Sequence, residues 1–133
     1  MSREVLGLVD DLFFTAKIAA TASICTVSVT FAKDQEDLLK KASELTPSLI
    51  LIDLSKEALG PLNAIQALKA DTQLQAIPVM GFYSHVQTEL KEKAMQAGCN
   101  SVVPRSFFSQ NLARILSHGL EGENNPIGRN GES

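Results

Sequence analysis

Leu49-Ile50-Leu51-Ile52-Asp53 is the stretch that decides the fold. Its four aliphatic residues leave no position to turn toward water, so the run reads as a strand covered on both faces, as in a parallel sheet between helix layers. Asp53 closes it. Open α/β sheets bind their ligands in the crevice beyond the carboxyl ends of the strands, so a carboxylate at this point marks the functional centre.

Outward from that strand, the apolar pattern alternates between strand and helix five times. Val5 to Val9 is a short apolar run ending in Asp10-Asp11, and from Leu12 the pattern turns helical, with Phe14, Ile18 and Ala22 four apart on one face. Thr26 to Phe31 is rich in Val and Thr, as strands are. Asp34 is placed to cap a helix running to Leu45, with Leu38, Ala42 and Leu45 on its apolar stripe, and Pro47 stops it. After Asp53, a loop with Gly60 and Pro61 leads into a helix carrying Leu62, Ile65 and Leu68. Ile77 to Phe82 is the expected fourth strand and Val86 to Ala97 the fourth helix, with Val86, Leu90 and Ala94 inward and Gly98 as its C-terminal cap. Ser101 to Val103 is the fifth strand, and Phe108, Leu112 and Ile115 mark a last helix. Five βα units with short connections imply a flavodoxin-like α/β sandwich, (βα)5, with a parallel five-stranded sheet in the order 2-1-3-4-5.

Composition fits one soluble domain. At 133 residues, with 44% hydrophobic and 20% charged residues, the chain can bury a core without disulfides or metal staples. The net charge of -3 and the scattered Lys and Arg argue against nucleic-acid binding. No segment has signal-peptide or membrane-span character, so a cytoplasmic location is expected. Residues 1–120 read as the domain. Residues 121–133, with three Gly, three Asn, one Pro and a single aliphatic, Ile127, read as a disordered tail. Cys25 and Cys99 are expected as free thiols at opposite sheet edges, too far apart to pair.

The chemistry gathers at three strand ends. In the 2-1-3-4-5 order the first and third strands are neighbours, which brings Asp10, Asp11 and Asp53 together, with Arg105 following the fifth strand. Two carboxylates about 4 Å apart repel by roughly 4 kcal/mol at an effective dielectric of 20, so something must compensate them. A hard divalent cation such as Mg2+ is one candidate. An Arg105 salt bridge to Asp53 that holds the pocket shut is another.

From residue 4 to 119 the chain resembles a response-regulator receiver domain of two-component signalling. The resemblance rests on Leu8-Val9-Asp10-Asp11, on the strand Leu49 to Asp53, on Ile77-Pro78-Val79 opening strand four, and on Ala97-Gly98 before strand five. It implies Asp53 as phosphoacceptor, Asp10 and Asp11 as Mg2+ ligands with Asp53, and the Ser55 carbonyl as a further ligand. It also implies a histidine kinase or phosphotransfer protein as donor, and a downstream target or homodimer contacted through the fourth and fifth helices. Several positions depart from the family pattern. Tyr83, followed by Ser84, stands where receivers place Ser or Thr to bind the phosphoryl group. Arg105, in Pro104-Arg105-Ser106, replaces the family Lys, and Arg prefers bidentate pairing to the point charge of an ammonium. Val102 stands at the position of the aromatic switch residue, and the Met-Pro pair after the phosphoacceptor is missing.

The expected function is a stand-alone receiver phosphorylated at Asp53 in a phosphorelay, signalling through protein contacts. The alternative is a pseudo-receiver, an unphosphorylated constitutive scaffold. A hydrolase reading rests only on the shared pocket, and no enzymatic turnover is expected. Plainer roles stand beside these. Asp10-Asp11 can cap the first helix, His118 can interact with a helix dipole, and Ser84-His85 reads as loop. Phe13, Phe14, Phe107 and Phe108 read as packing, and an exposed member of these pairs would mark a partner surface.

Overall fold

A computed structural model of the chain describes residues 3–84 and 88–120. The expected start of the fourth helix at Val86, the loop residue His85 and the tail 121–133 lie outside the described residues. Five parallel strands run β2-β1-β3-β4-β5, the order expected. They are β1 (Glu4–Leu8), β2 (Ser28–Phe31), β3 (Leu49–Asp53), β4 (Val79–Tyr83) and β5 (Ser101–Pro104). The helices between and after them are α1 (Leu12–Ile24), α2 (Gln35–Leu45), α3 (Pro61–Ala70), α4 (Thr88–Ala97), α5 (Arg105–Gln110) and α6 (Leu112–His118).

β3 is central and every residue of it is buried. It pairs with β1 on one side, Leu8 opposite Ile52, and with β4 on the other, Asp53 opposite Phe82. Strand alternation sends its side chains to two different cores. Ile50 and Ile52 pack with Leu54, Ala64, Ile65 and Ala94, while Leu49 and Leu51 pack with Phe14, Ile18, Phe82 and Phe108. The odd-numbered parity that includes Asp53 therefore faces the side covered by α1, α5 and α6.

Local chemistry sets the ends of the elements. Asp11 caps α1 by accepting from the Phe14 N–H at 3.0 Å, and Asp34 caps α2 by accepting from the Asp37 N–H at 2.8 Å. Gly60 takes a left-handed φ of 60° and hands on to Pro61 in the first turn of α3. Gly98, at φ 114°, ends α4 as expected.

Several boundaries differ from the periodic reading, β4 and β5 each running one residue further, to Tyr83 and Pro104. β1 runs Glu4–Leu8 rather than Val5 to Val9, because Glu4 already pairs with Ser28. β2 begins at Ser28 because Thr26 adopts a left-handed φ of 55°. β4 begins at Val79, since Pro78 has no N–H to give the ladder, although its carbonyl accepts from Ile50 at 2.9 Å. The last helix is two: at Asn111 both the backbone N–H (3.0 Å) and the side-chain amide (2.9 Å) donate to the Phe107 carbonyl, a local competition that interrupts the helix between Gln110 and Leu112. Cys25 and Cys99 are both free.

Candidate functional site

At the carboxyl end of β3, Asp53 is only 1% exposed and yet carries a carboxylate. Its Oδ1 accepts from the Ser55 N–H at 2.9 Å, and its Oδ2 faces the Arg105 guanidinium at 3.3 Å. Arg105 reaches it from the first position of α5, directly after β5. The same guanidinium nitrogen lies 3.8 Å from Asp11 Oδ2, so one cation bridges the ends of β1 and β3. Asp10 points elsewhere, to Lys56 Nζ at 3.4 Å. Asp11 has two tasks, because its Oδ1 is the α1 cap.

An aromatic wall fixes Arg105. Its guanidinium sits 4.4 Å from the centroid of Phe14 and 5.9 Å from that of Phe82, within cation–π range. Phe14, Phe82 and Phe108 pack on one another, Phe82 stacked on Phe108 at 4.6 Å. Arg105 Nε is buried without a hydrogen-bond partner, so the seat is built for the terminal nitrogens. Burial pushes the Asp53 carboxyl above its ordinary range. The Ser55 N–H, Arg105 and Lys56 oppose that rise and the charge on Asp10 adds to it.

Of the expected site residues, the structure brings together Asp11, Asp53, Arg105 and the Ser55 backbone, with Asp10 at the rim. It does not bring Tyr83 to them. Tyr83 has the opposite strand parity to Phe82 and packs in the core with Leu54, Leu59, Ala94 and Val102, on the far side of the sheet. Ser84 follows, with its N–H donating to Ser55 Oγ at 2.9 Å, and it lines an open cavity of about 420 Å³ together with Asp11, Phe13, Phe14 and Arg105. Lys56, Phe14 and Phe82 are site residues that periodicity assigned to loop, core and strand. The available signals were the lysine three places after Asp53 and the strand register that sets Phe82 beside it.

As donors, three carboxylates and a backbone carbonyl suit Mg2+. Their placement does not match their chemistry. Among the described residues no three His, Cys, Asp or Glu side chains converge closely enough to hold a metal ion. Arg105 and Lys56 stand against the oxygens that an ion would use. With three acids and two bases the cluster is already mostly neutralised from within the chain.

The same architecture occurs in known proteins. The chemotaxis response regulator CheY4 of Vibrio cholerae superimposes with a TM-score of 0.76, covering 87% of this chain and 97% of that one at 18% identity. The fold is that of the response-regulator receiver domain. A receiver domain from a Pseudomonas aeruginosa sensor histidine kinase, with a magnesium ion coordinated in its active-site cleft, gives 0.75 over 87% of this chain and 95% of its own at 22% identity. In sequence, the response regulator protein VraR of Staphylococcus saprophyticus is 26% identical over 91 residues, 68% of this chain and 43% of that protein. A hybrid signal transduction histidine kinase of Dictyostelium discoideum is 27% identical over 90 residues, 67% of this chain and 6% of that protein. The chain thus spans less than half the length of these curated relatives. No protein-family model matches it. Among the described residues no helix is long and apolar enough to cross a membrane.

Proposed function

We propose that this chain is a receiver-type signalling module that works through protein contacts with its acid pocket held in one state by its own cations. Arg105 takes the place of both a phosphate-sensing ammonium and a divalent ion. Its one charge is shared between Asp53 and Asp11, while Lys56 pairs with Asp10. The observation that carries this reading is the single guanidinium standing 3.3 Å from Asp53 and 3.8 Å from Asp11 against the Phe14 ring. Two further features support it. Asp53 is buried with both oxygens engaged, Oδ1 by the Ser55 N–H and Oδ2 by the Arg105 guanidinium, which hinders it as a nucleophile, and Tyr83 takes its ring to the other side of the sheet instead of offering a hydroxyl there.

The second reading keeps Asp53 as a phosphoryl acceptor served by a histidine kinase or phosphotransfer protein, with Mg2+ held by Asp10, Asp11, Asp53 and the Ser55 carbonyl. The open cavity beside Arg105 and Ser84 favours it, since a phosphoryl group could be received there once Arg105 moves off the carboxylate. In that case the added charge of about -2 would bias contacts on the fourth and fifth helices.

Incubation with a small phosphodonor at millimolar Mg2+, followed by intact mass, separates the two. The first reading expects no phosphoryl adduct and no change in the amide spectrum. An adduct that requires Mg2+ and vanishes in Asp53→Asn removes it and establishes the second.

A further inference from the structure

The seam between α1 and α5 is open over the aromatic wall. Its cavity, of about 420 Å³, falls in the size range of small-molecule sites. Phe14 lines it, with the Arg105 guanidinium 4.4 Å from the ring centroid. Helical spacing supplies the two sides. Phe13 and Lys17, four apart, line it from α1, and Ser106 and Ser109, three apart, line it from α5. Ser84, directly after β4, joins them.

Lys17 is the cation that the acid cluster leaves over. Arg105 is shared between Asp53 and Asp11, and Lys56 is turned to Asp10. Lys17 pairs with no carboxylate among the described residues; its partner is a neutral hydroxyl, Ser109 Oγ. An ammonium has three donors, so two remain for a ligand. The Ser84 and Ser106 hydroxyls likewise have no hydrogen-bond partner among the described residues. Asp11 is the one carboxylate on the lining, and both its oxygens are engaged, Oδ1 by the Phe14 N–H and Oδ2 by Arg105. Free donors from three separate elements therefore converge with no free carboxylate against them, which selects a tetrahedral oxyanion. Beside them the Phe13 side chain is 83% exposed, whereas Phe14 is buried and already faced by Arg105. The open apolar surface of the cavity is thus one aromatic ring, and a second flat ring is its natural partner.

We propose that this seam is a binding site for a small aromatic oxyanion, a phosphate-type group carried on a flat ring. The anionic group takes the two free Lys17 donors and the Ser84 and Ser106 hydroxyls, and the ring lies against Phe13. Binding is noncovalent. It uses neither Mg2+ nor the Asp53 carboxylate, so it stands apart from both readings of the acid cluster.

The probe is phenylphosphonate, whose P–C bond cannot pass a phosphoryl group to Asp53, with methylphosphonate as its ringless counterpart. The ¹⁵N-labelled full 133-residue chain is titrated with each, without Mg2+ and at low ionic strength. The expected result is saturable shifts at the amides of Phe13, Lys17, Ser106 and Ser109, with phenylphosphonate binding tighter than methylphosphonate by about threefold or more. Lys17→Met keeps the stem of an exposed side chain and removes its charge, and it should weaken phenylphosphonate by about fivefold or more. Lys40→Met on α2 should leave binding unchanged, and Phe13→Ala should remove the preference for the ring while keeping methylphosphonate binding. Circular dichroism verifies the fold of each variant. Asp53→Asn should bind at least as tightly as wild type. Absence of saturable shifts into the tens of millimolar overturns the proposal. So does equal affinity for the two phosphonates, binding indifferent to Lys17→Met, binding lost in Asp53→Asn, or shifts that require Mg2+ and centre on Asp10 and Asp53.

Discussion

Replacing Arg105 by alanine removes the cation from a carboxylate that has little else. Asp53 would keep its Ser55 N–H at 2.9 Å, with Lys56 engaged at Asp10. A bare Coulomb estimate at the 3.3 Å separation, with an effective dielectric of 20, is about 5 kcal/mol. That is an upper bound, because Arg105 is 31% exposed, its own desolvation is recovered, and water can enter the space it leaves. Loss of the contact with Phe14 adds roughly 0.5–1 kcal/mol. Arg105→Ala should therefore lose about 2–3 kcal/mol at neutral pH, measured by urea unfolding. The loss should depend on pH. Burial already raises the folded-state value of Asp53 above its unfolded value, and removing Arg105 raises it further. The folded state then takes up a proton as pH falls into that window, so the variant recovers stability relative to wild type on acidification. In a cycle with Asp53→Asn the two substitutions should couple by about 1–3 kcal/mol. A variant within 0.5 kcal/mol of wild type, additive with Asp53→Asn, would refute the bridge as the element that neutralises the pocket.

Other outcomes follow from the same structure. Asp53→Asn alone mimics the protonated acid, so at neutral pH it should equal or exceed wild type in thermal stability, with the difference shrinking as pH falls through the raised window. Gly81→Val should cost about 1–3 kcal/mol, since a Cβ there would meet Leu54 Cδ1 at 2.9 Å in a fully packed layer. Burial pushes the Cys99 thiol up to about 11, so iodoacetamide at neutral pH should label the half-buried Cys25 and leave Cys99 untouched until the chain unfolds, as intact mass will report.

The sheet was legible because β3 is apolar at every position before Asp53 and short βα connections permit few topologies. Helix faces were legible too, Phe14, Ile18 and Ala22 being buried as their spacing requires. What periodicity missed were places where one residue overrode the pattern. Thr26 turned left-handed before β2, and the Asn111 amide divided the last helix. The site was half legible. Strand order alone brings Asp11, Asp53 and Arg105 to one end of the sheet. Which cation fills the cluster depends on side-chain reach, on Arg105 lying across Phe14 and on Lys56 turning to Asp10, and these are decided by packing rather than spacing. Tyr83 was misleading for a related reason: its position in the chain matched a site residue, while its strand parity sent it to the opposite face.

The central claim is that Arg105 and Lys56 already satisfy the acid cluster. Titrating the ¹⁵N-labelled chain with Mg2+ into the millimolar range and following the amides of Asp10, Asp11, Asp53 and Ser55 tests it most directly. The account predicts no saturable shift in the wild type, and the appearance of one when Arg105 is replaced by alanine. Saturable shifts at those four amides in the wild type would contradict it.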